Sequence, residues 1–254
     1  MAQLRADVPP VLYKFRGDIG RDVGCLLVDR RLYLSSPGGL NDPFDCSPAL
    51  DLPSPEDRDR LVEAEVANAP LAQQDEVRRR CNLLLDSPVH QNRFAEEFHE
   101  NHLGRHGVVT LSSSREDPLL WAHYGGSFAG FAVGYRAVDD GELEALPAVP
   151  VEYATDRPKI SPFGATDWLR VLFTKSVHWS HEREWRYVRM AEDGGHGLLP
   201  VPLGSILEVC LGPRMVPADR DSVIRAARNL PDAPRVLQAR LHPDRYGLIF
   251  ADVD

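Results

Sequence analysis

The chain has 254 residues, with 38 acidic against 29 basic side chains, a formal net charge of −9 and a pI near 5.5. That balance excludes a general binder of nucleic acid or anionic membrane, because such binding draws on Lys and Arg neutralising phosphates. Hydrophobic residues at 43% and charged residues at 26% are the proportions of a soluble globular protein with a sizeable core, and no run approaches the roughly eighteen apolar residues of a membrane span.

Only Lys14, Lys159 and Lys175 among the cations are lysines, so a single arginine carries little information here. The four cysteines, Cys25, Cys46, Cys81 and Cys210, lie far apart with no Cys-x-x-Cys pair. Arg5 and Asp7 interrupt the N-terminus before a secretory apolar region can form. The expected location is a reducing cytoplasm, with free and mostly structural cysteines.

In chain order, Val11-Leu12-Tyr13-Lys14-Phe15-Arg16 alternates apolar and cationic and reads as a first strand. A short helix follows over 19–30, then a strand over 31–35 ending at the turn Pro37-Gly38-Gly39. The loop Leu40-Asn41-Asp42-Pro43-Phe44-Asp45-Cys46 reads as a structural turn, with Phe44 plugging the core. From residue 55 to 105 the composition becomes charged and Ala/Leu-rich, with Leu61, Val62, Val66, Leu71, Val77, Cys81 and Leu84 at near-helical spacing. This reads as a helical insert broken at Pro70 and Pro88. His90, His99, His102 and His106 fall on it without tight ligand spacing, so they read as helix surface and no metal is assigned.

Residues 107–114 form a strand running into Ser112-Ser113-Ser114, and Asp117 with Pro118 starts a short helix over 119–124 stopped by Gly125-Gly126. Residues 128–135 and 149–153 read as strands, and Thr166 or Asp167 caps a helix through Phe173. In His181-Glu182-Arg183-Glu184-Trp185-Arg186, continuing through Met190, strand alternation puts Glu182, Glu184 and Arg186 on one face and Trp185 and Tyr187 on the other. Gly194 to Gly197 is a turn; strands over 206–212, 235–239 and 246–250 and a helix over 217–229 finish the chain. The expected fold is one α+β domain over 1–254 with a mixed or antiparallel sheet, the helical insert lying within it.

Four segments together, Leu12-Tyr13-Lys14-Phe15-Arg16, Leu40-Asn41-Asp42-Pro43-Phe44-Asp45, Trp121-Ala122-His123-Tyr124-Gly125 and residues 179–186, resemble the bacterial domain-of-unknown-function family 2971. The resemblance runs from about residue 11 to 250 and implies a fold relationship without an established activity. A strand ending in Arg16, one ending in Ser112-Ser113-Ser114, and Glu182-Arg183-Glu184 are also similar to the arginine, serine and Glu-x-Glu pattern of ADP-ribosyltransferases, with Ser-Ser-Ser where that pattern usually has Ser-Thr-Ser. The similarity implies NAD as substrate and transfer of ADP-ribose to an unknown acceptor. Glu184 would hold the ribose beside an oxocarbenium-like centre, and Glu182 would orient or deprotonate the acceptor. Arg16 would bind the pyrophosphate, with Ser112, Ser114, Trp121, His123 and Tyr124 lining the NAD site and Trp121 or Tyr124 facing the nicotinamide.

Two other readings stand beside this one. Asp42, Asp45, Glu182, Glu184 and His123 could surround Mg²⁺ in a hydrolase or nuclease. Alternatively the chain is a non-enzymatic ligand- or partner-binding module. In it Arg183 and Arg186 pair with Glu182, Glu184 or Asp45, and Trp121 and Trp185 fill the core.

Overall fold

A computed structural model describes residues 8–137, 147–163, 167–231 and 233–253. β1 (Val11–Arg16) leads to α1 (Ile19–Val23), which continues as a π-helical turn over Gly24–Val28 into β2 (Arg31–Leu34). A 3₁₀ turn at Pro37–Gly39 and the two-residue β3 (Ala49–Leu50) precede α2 (Pro55–Asn68), α3 (Gln74–Asp86) and α4 (Pro88–Phe98), the last extended by a π-turn over His99–Leu103. Then come β4 (Gly107–Ser112), α5 (Pro118–His123), β5 (Phe131–Arg136), β6 (Val149–Pro150), β7 (Glu152–Ala154), β8 (Lys159–Ile160), α6 (Trp168–Leu172) and β9 (Thr174–Ser176). A 3₁₀ stretch over Val177–Glu182 enters β10 (Glu184–Arg189), and β11 (Gly197–Pro200), β12 (Ile206–Leu211), α7 (Pro217–Arg228), β13 (Arg235–Leu241) and β14 (Leu248–Asp252) follow. The α+β class and the mixed sheet are as the sequence leads one to expect.

Helix starts follow local chemistry. The Ser54 side chain accepts from Asp57 N ahead of Pro55, and Asp117 Oδ1 accepts from Leu119 N at 2.8 Å ahead of Pro118. Asp167 caps α6 in the same way, while Thr166, like Arg5 and Asp7, lies outside the described residues.

Residues 1–35, 107–151 and 178–254 form one compact unit, and 36–106 with 152–177 form a second. The first is built on an eight-stranded sheet in the order β14-β13-β12-β5-β1-β4-β10-β6. Within that sheet, among the described residues, only β12 and β13 pair in parallel, and α7 makes the crossover between them. β1 pairs with β5 along its whole length, but with β4 only at Tyr13↔Ser112, so the sheet parts between these two strands. Lys14 spans the parting, its ammonium donating to the Thr110 carbonyl at 2.8 Å and to the Thr110 hydroxyl at 3.0 Å.

Strand alternation sorts the sheet into two cores. Leu12, Val109, Leu111, Val133, Tyr135, Val209 and Leu211 face α1 and the Val223–Ile224–Ala227 side of α7. Tyr13, Phe15, Ala132, Cys210 and Leu237 face Leu120 and Trp121 of α5. In the second unit Val62, Val66 and Phe163 make a small core with Leu61, Val77, Cys81 and Leu85 packed on it. There Asp45 and Lys175 form a buried ion pair at 3.7 Å.

Several expectations need correction. The strand expected over 128–135 begins only at Phe131, because Ser127 and Phe128 take left-handed backbone (φ 52° and 73°) to turn the chain. The strand expected over 149–153 breaks at Val151, whose amide bonds Glu184 O while the next residue's bonds Phe173 O. Phe44 is 64% exposed and does not plug a core; Asp42 Oδ1 accepts from Phe44 N at 2.9 Å in an Asx turn that points the ring outward, 5.9 Å from the Arg157 guanidinium. His106 is buried and stacked on Trp168 at 4.9 Å, so it is not helix surface. β11, which pairs with β2, was not anticipated, since its four residues lie among turn-forming glycines.

Gly130 is one position where only glycine fits: a Cβ there would run into the carbonyl oxygen of Arg16 and lie close to that of Gly125. Gly130→Ala should cost roughly 1–3 kcal/mol in urea unfolding. Burial pushes the Cys210 thiol up from 9.0 to about 12 and holds the Tyr13 hydroxyl above its usual range. Both groups stay protonated in the fold while the unfolded chain deprotonates first. The stability they contribute is therefore complete below pH 9 and is lost as pH rises from there towards 12. Urea midpoints should fall as pH rises above about 9, and fall less steeply in Cys210→Ala.

Candidate functional site

Glu182 and Glu184 lie at one end of the eight-stranded sheet, and both are buried. Ser112, the last residue of β4, is the clamp that puts them there. Its register partners are Tyr13 on one side and Glu184 on the other, its hydroxyl donates to the Glu182 carbonyl at 2.6 Å, and it accepts from Ser114 N at 3.0 Å. The Ser113 amide adds a bond to the Arg183 carbonyl at 3.2 Å. Between the glutamates Arg183 takes left-handed backbone (φ 46°), the turn by which the 3₁₀ stretch enters β10. That is strained for a residue with a Cβ and is held by the bonds on both sides of it. Glu182 thus precedes the strand, so the parity expected for Glu182, Glu184 and Arg186 holds only for the last two.

Tyr124 Oη donates to Glu182 Oε1 at 2.6 Å, and Arg186 Nε donates to Glu184 Oε1 at 2.5 Å. The Arg186 and Glu184 side chains are 0% and 2% exposed, so this ion pair lies wholly out of water. Tyr124 follows the last turn of α5, which is fixed by Trp121. That indole is fully buried, packs edge-on against Phe15 at 5.2 Å and donates Nε1–H to the Arg115 carbonyl at 2.8 Å. The Arg115 side chain is held in turn by Glu208, which also accepts from Tyr13 Oη at 2.8 Å, and lies over Phe250 at 4.9 Å.

Around Glu182 stands a rim of rings. His123 is exposed and lies 6.1 Å from Tyr124 and 6.1 Å from Trp179, and Trp179 lies 6.0 Å from His181. Trp179 and Tyr124 are half-buried, and the His181 Nε2 atom is buried with no hydrogen-bond partner among the described residues. Half-buried rings beside a buried carboxylate are suited to a flat, electron-poor ring.

Of the residues singled out in the sequence, Ser112, Ser114, Glu182, Glu184, His123 and Tyr124 come together here. Trp121 does not reach the rim, because it is a core anchor. Arg16 is also apart: alternation along β1 puts it on the Leu12 face, opposite Tyr13 and Ser112, where its Nε is 3.8 Å from Asp22 Oδ1. Trp179 and His181 were not foreseen as site residues, although Trp-x-His-Glu just ahead of a strand is their visible trace. Arg183 is exposed and does not make the pair expected of it in the binding-module reading. Among the described residues no group of three or more His, Cys, Asp or Glu side chains is arranged to hold a metal ion.

Compared with family models, with curated proteins and with solved structures, the chain finds no match. Replacing Glu184 by Gln removes the carboxylate that meets a fully buried guanidinium. Glu184→Gln is expected to lose roughly 3–5 kcal/mol of unfolding free energy, and Tyr124→Phe only about 1–2 kcal/mol, both read from denaturant titrations.

Proposed function

We propose that this end of the sheet binds the nicotinamide riboside half of NAD and cleaves it in an ADP-ribosyl transfer, with Glu182 rather than Glu184 as the acting carboxylate. The observation that carries this reading is the meeting of Ser112, Glu182 and Tyr124 under the rings of His123 and Trp179. The similarity to the serine and Glu-x-Glu elements of ADP-ribosyltransferases supports it from the sequence.

As the C1′–N bond breaks, its electron pair leaves with the nicotinamide nitrogen and positive charge grows at C1′. A carboxylate held by the Tyr124 hydroxyl and shielded from water stabilises that charge more than water would. An acceptor nucleophile then attacks C1′ and its proton goes to solvent or to a base. Glu184 is neutralised by Arg186, which suits it to fixing the strand. With Arg16 on the other face, the exposed Arg183 is the cation offered to the pyrophosphate. Glu182 lies under the rim, so entry of the ring goes with a turn of Tyr124 or Trp179.

The buried Glu184–Arg186 pair favours one other reading, a ligand-binding module without chemistry in which the charges serve structure. One pair of measurements separates them. Under the transferase reading, saturating NAD raises the melting temperature, the stabilisation reaching about 2.7 kcal/mol at a hundredfold excess over Kd, and nicotinamide is released. Glu182→Gln then lowers release roughly 10²–10³-fold while NAD still protects. Protection without release supports the binding module. No protection at millimolar NAD rejects both the chemistry and the ligand.

A further inference from the structure

The eight-stranded sheet ends in two unlike edges. At one, β6 is only two residues long and carries Pro150, two common devices that block a strand edge. At the other, β14 runs for five residues with no proline or lysine, its register with β13 is unbroken, and β13 is its one paired neighbour among the described residues. The single charge on β14, Asp252, is taken by Arg235, whose Nη2 lies 3.1 Å from each carboxylate oxygen. His242 N bonds Gly247 O at 3.0 Å and Val253 N bonds Val236 O at 2.9 Å, so the odd-numbered residues of β14 are the ones that bond β13. Leu248 and Phe250 therefore turn their N–H and C=O outward, and their side chains share the α5 face of the sheet.

At the head of this edge lies a groove of about 550 Å³, lined by Pro118, Phe128, Leu241, Tyr246 and Leu248. Leu241 is 69% exposed and Tyr246 fully so. Two cations border the groove. The Arg214 guanidinium lies 5.5 Å from the centre of the Phe128 ring, and Arg245 stands on the hairpin loop, which His242 ties by accepting from Asp244 N at 3.1 Å and from Arg245 N at 3.2 Å. Both arginines are exposed, and neither is in an ion pair among the described residues. Asp244 is the one carboxylate on the lining, so the groove is locally cationic on a chain of net charge −9.

We propose that β14 and this groove are the docking surface for an extended, acidic segment of a partner protein, which adds to the sheet beside β14 as a further strand. Its backbone pairs with the outward N–H and C=O groups of Leu248 and Phe250, an apolar side chain on the α5 face enters the groove, and its carboxylates meet Arg214 and Arg245. An anionic membrane suits the cations and Tyr246 but has no backbone groups to offer a strand edge. A second copy of the chain would bring its own excess of negative charge to a contact only five residues long.

A fluorescein-labelled nonapeptide of alternating glutamate and leucine is the probe, followed by fluorescence anisotropy. Saturable binding is expected, weakened about tenfold by Arg214→Glu combined with Arg245→Glu. It should be lost when the peptide is N-methylated along its backbone and when lysine replaces its glutamates. The two arginines are exposed, so the double variant should melt as the wild type does. Absence of binding, equal affinity in the double variant, or undiminished binding of the N-methylated peptide overturns the proposal. Phosphatidylserine vesicles that bind the protein and are not displaced by the peptide, or a dimer in sedimentation velocity that Leu241→Lys dissociates, assign the surface to another occupant and overturn it as well.

Discussion

Two carboxylates one residue apart, both taken out of water at the same end of a sheet, set the terms for everything around them. Moving an ionised carboxylate inside costs several kcal/mol even after relaxation, and two neighbours add mutual repulsion. The Arg186 guanidinium bonds Glu184 on the strand, and the Tyr124 hydroxyl bonds Glu182 at the base of a half-buried aromatic rim.

The donors are in turn held from a distance. Tyr124 is placed by α5, α5 by Trp121 against Phe15, and the loop ahead of it by Arg115 on Glu208. Ser112 fixes the other side by bonding the backbone at Glu182 and pairing with Glu184, just where β1 and β4 part. The close approach of Gly130 to Arg16 O keeps the turn after α5 tight against β1.

Much of this was legible in the residues. Alternation in 11–16 and 107–112 marked strands, Asp117-Pro118 marked a helix start, and the prolines at 70 and 88 divided the helical insert. Parity along 184–187 sorted Glu184 and Arg186 from Trp185 and Tyr187, as the cores confirm. What escaped depended on long-range geometry. Nothing local says that Arg183 would turn left-handed and leave Glu182 outside the strand, because that conformation is imposed by bonds to Ser112 and Ser113, about 70 residues earlier in the chain. The face chosen by Arg16 follows from its own strand parity, but it conflicts with Ser112 only once the register of β1 against β4 is known. Trp121 and Trp179 look alike in composition, and only packing makes one a core anchor and the other part of a rim.

We propose above that the rim over Glu182 receives a flat nicotinamide ring. Its most direct test is titration of nicotinamide mononucleotide while tryptophan fluorescence is followed in wild type and in Trp179→Phe. The account predicts saturable quenching in the wild type that is largely lost in Trp179→Phe. Identical quenching in both proteins, or none at saturating ligand, would contradict it.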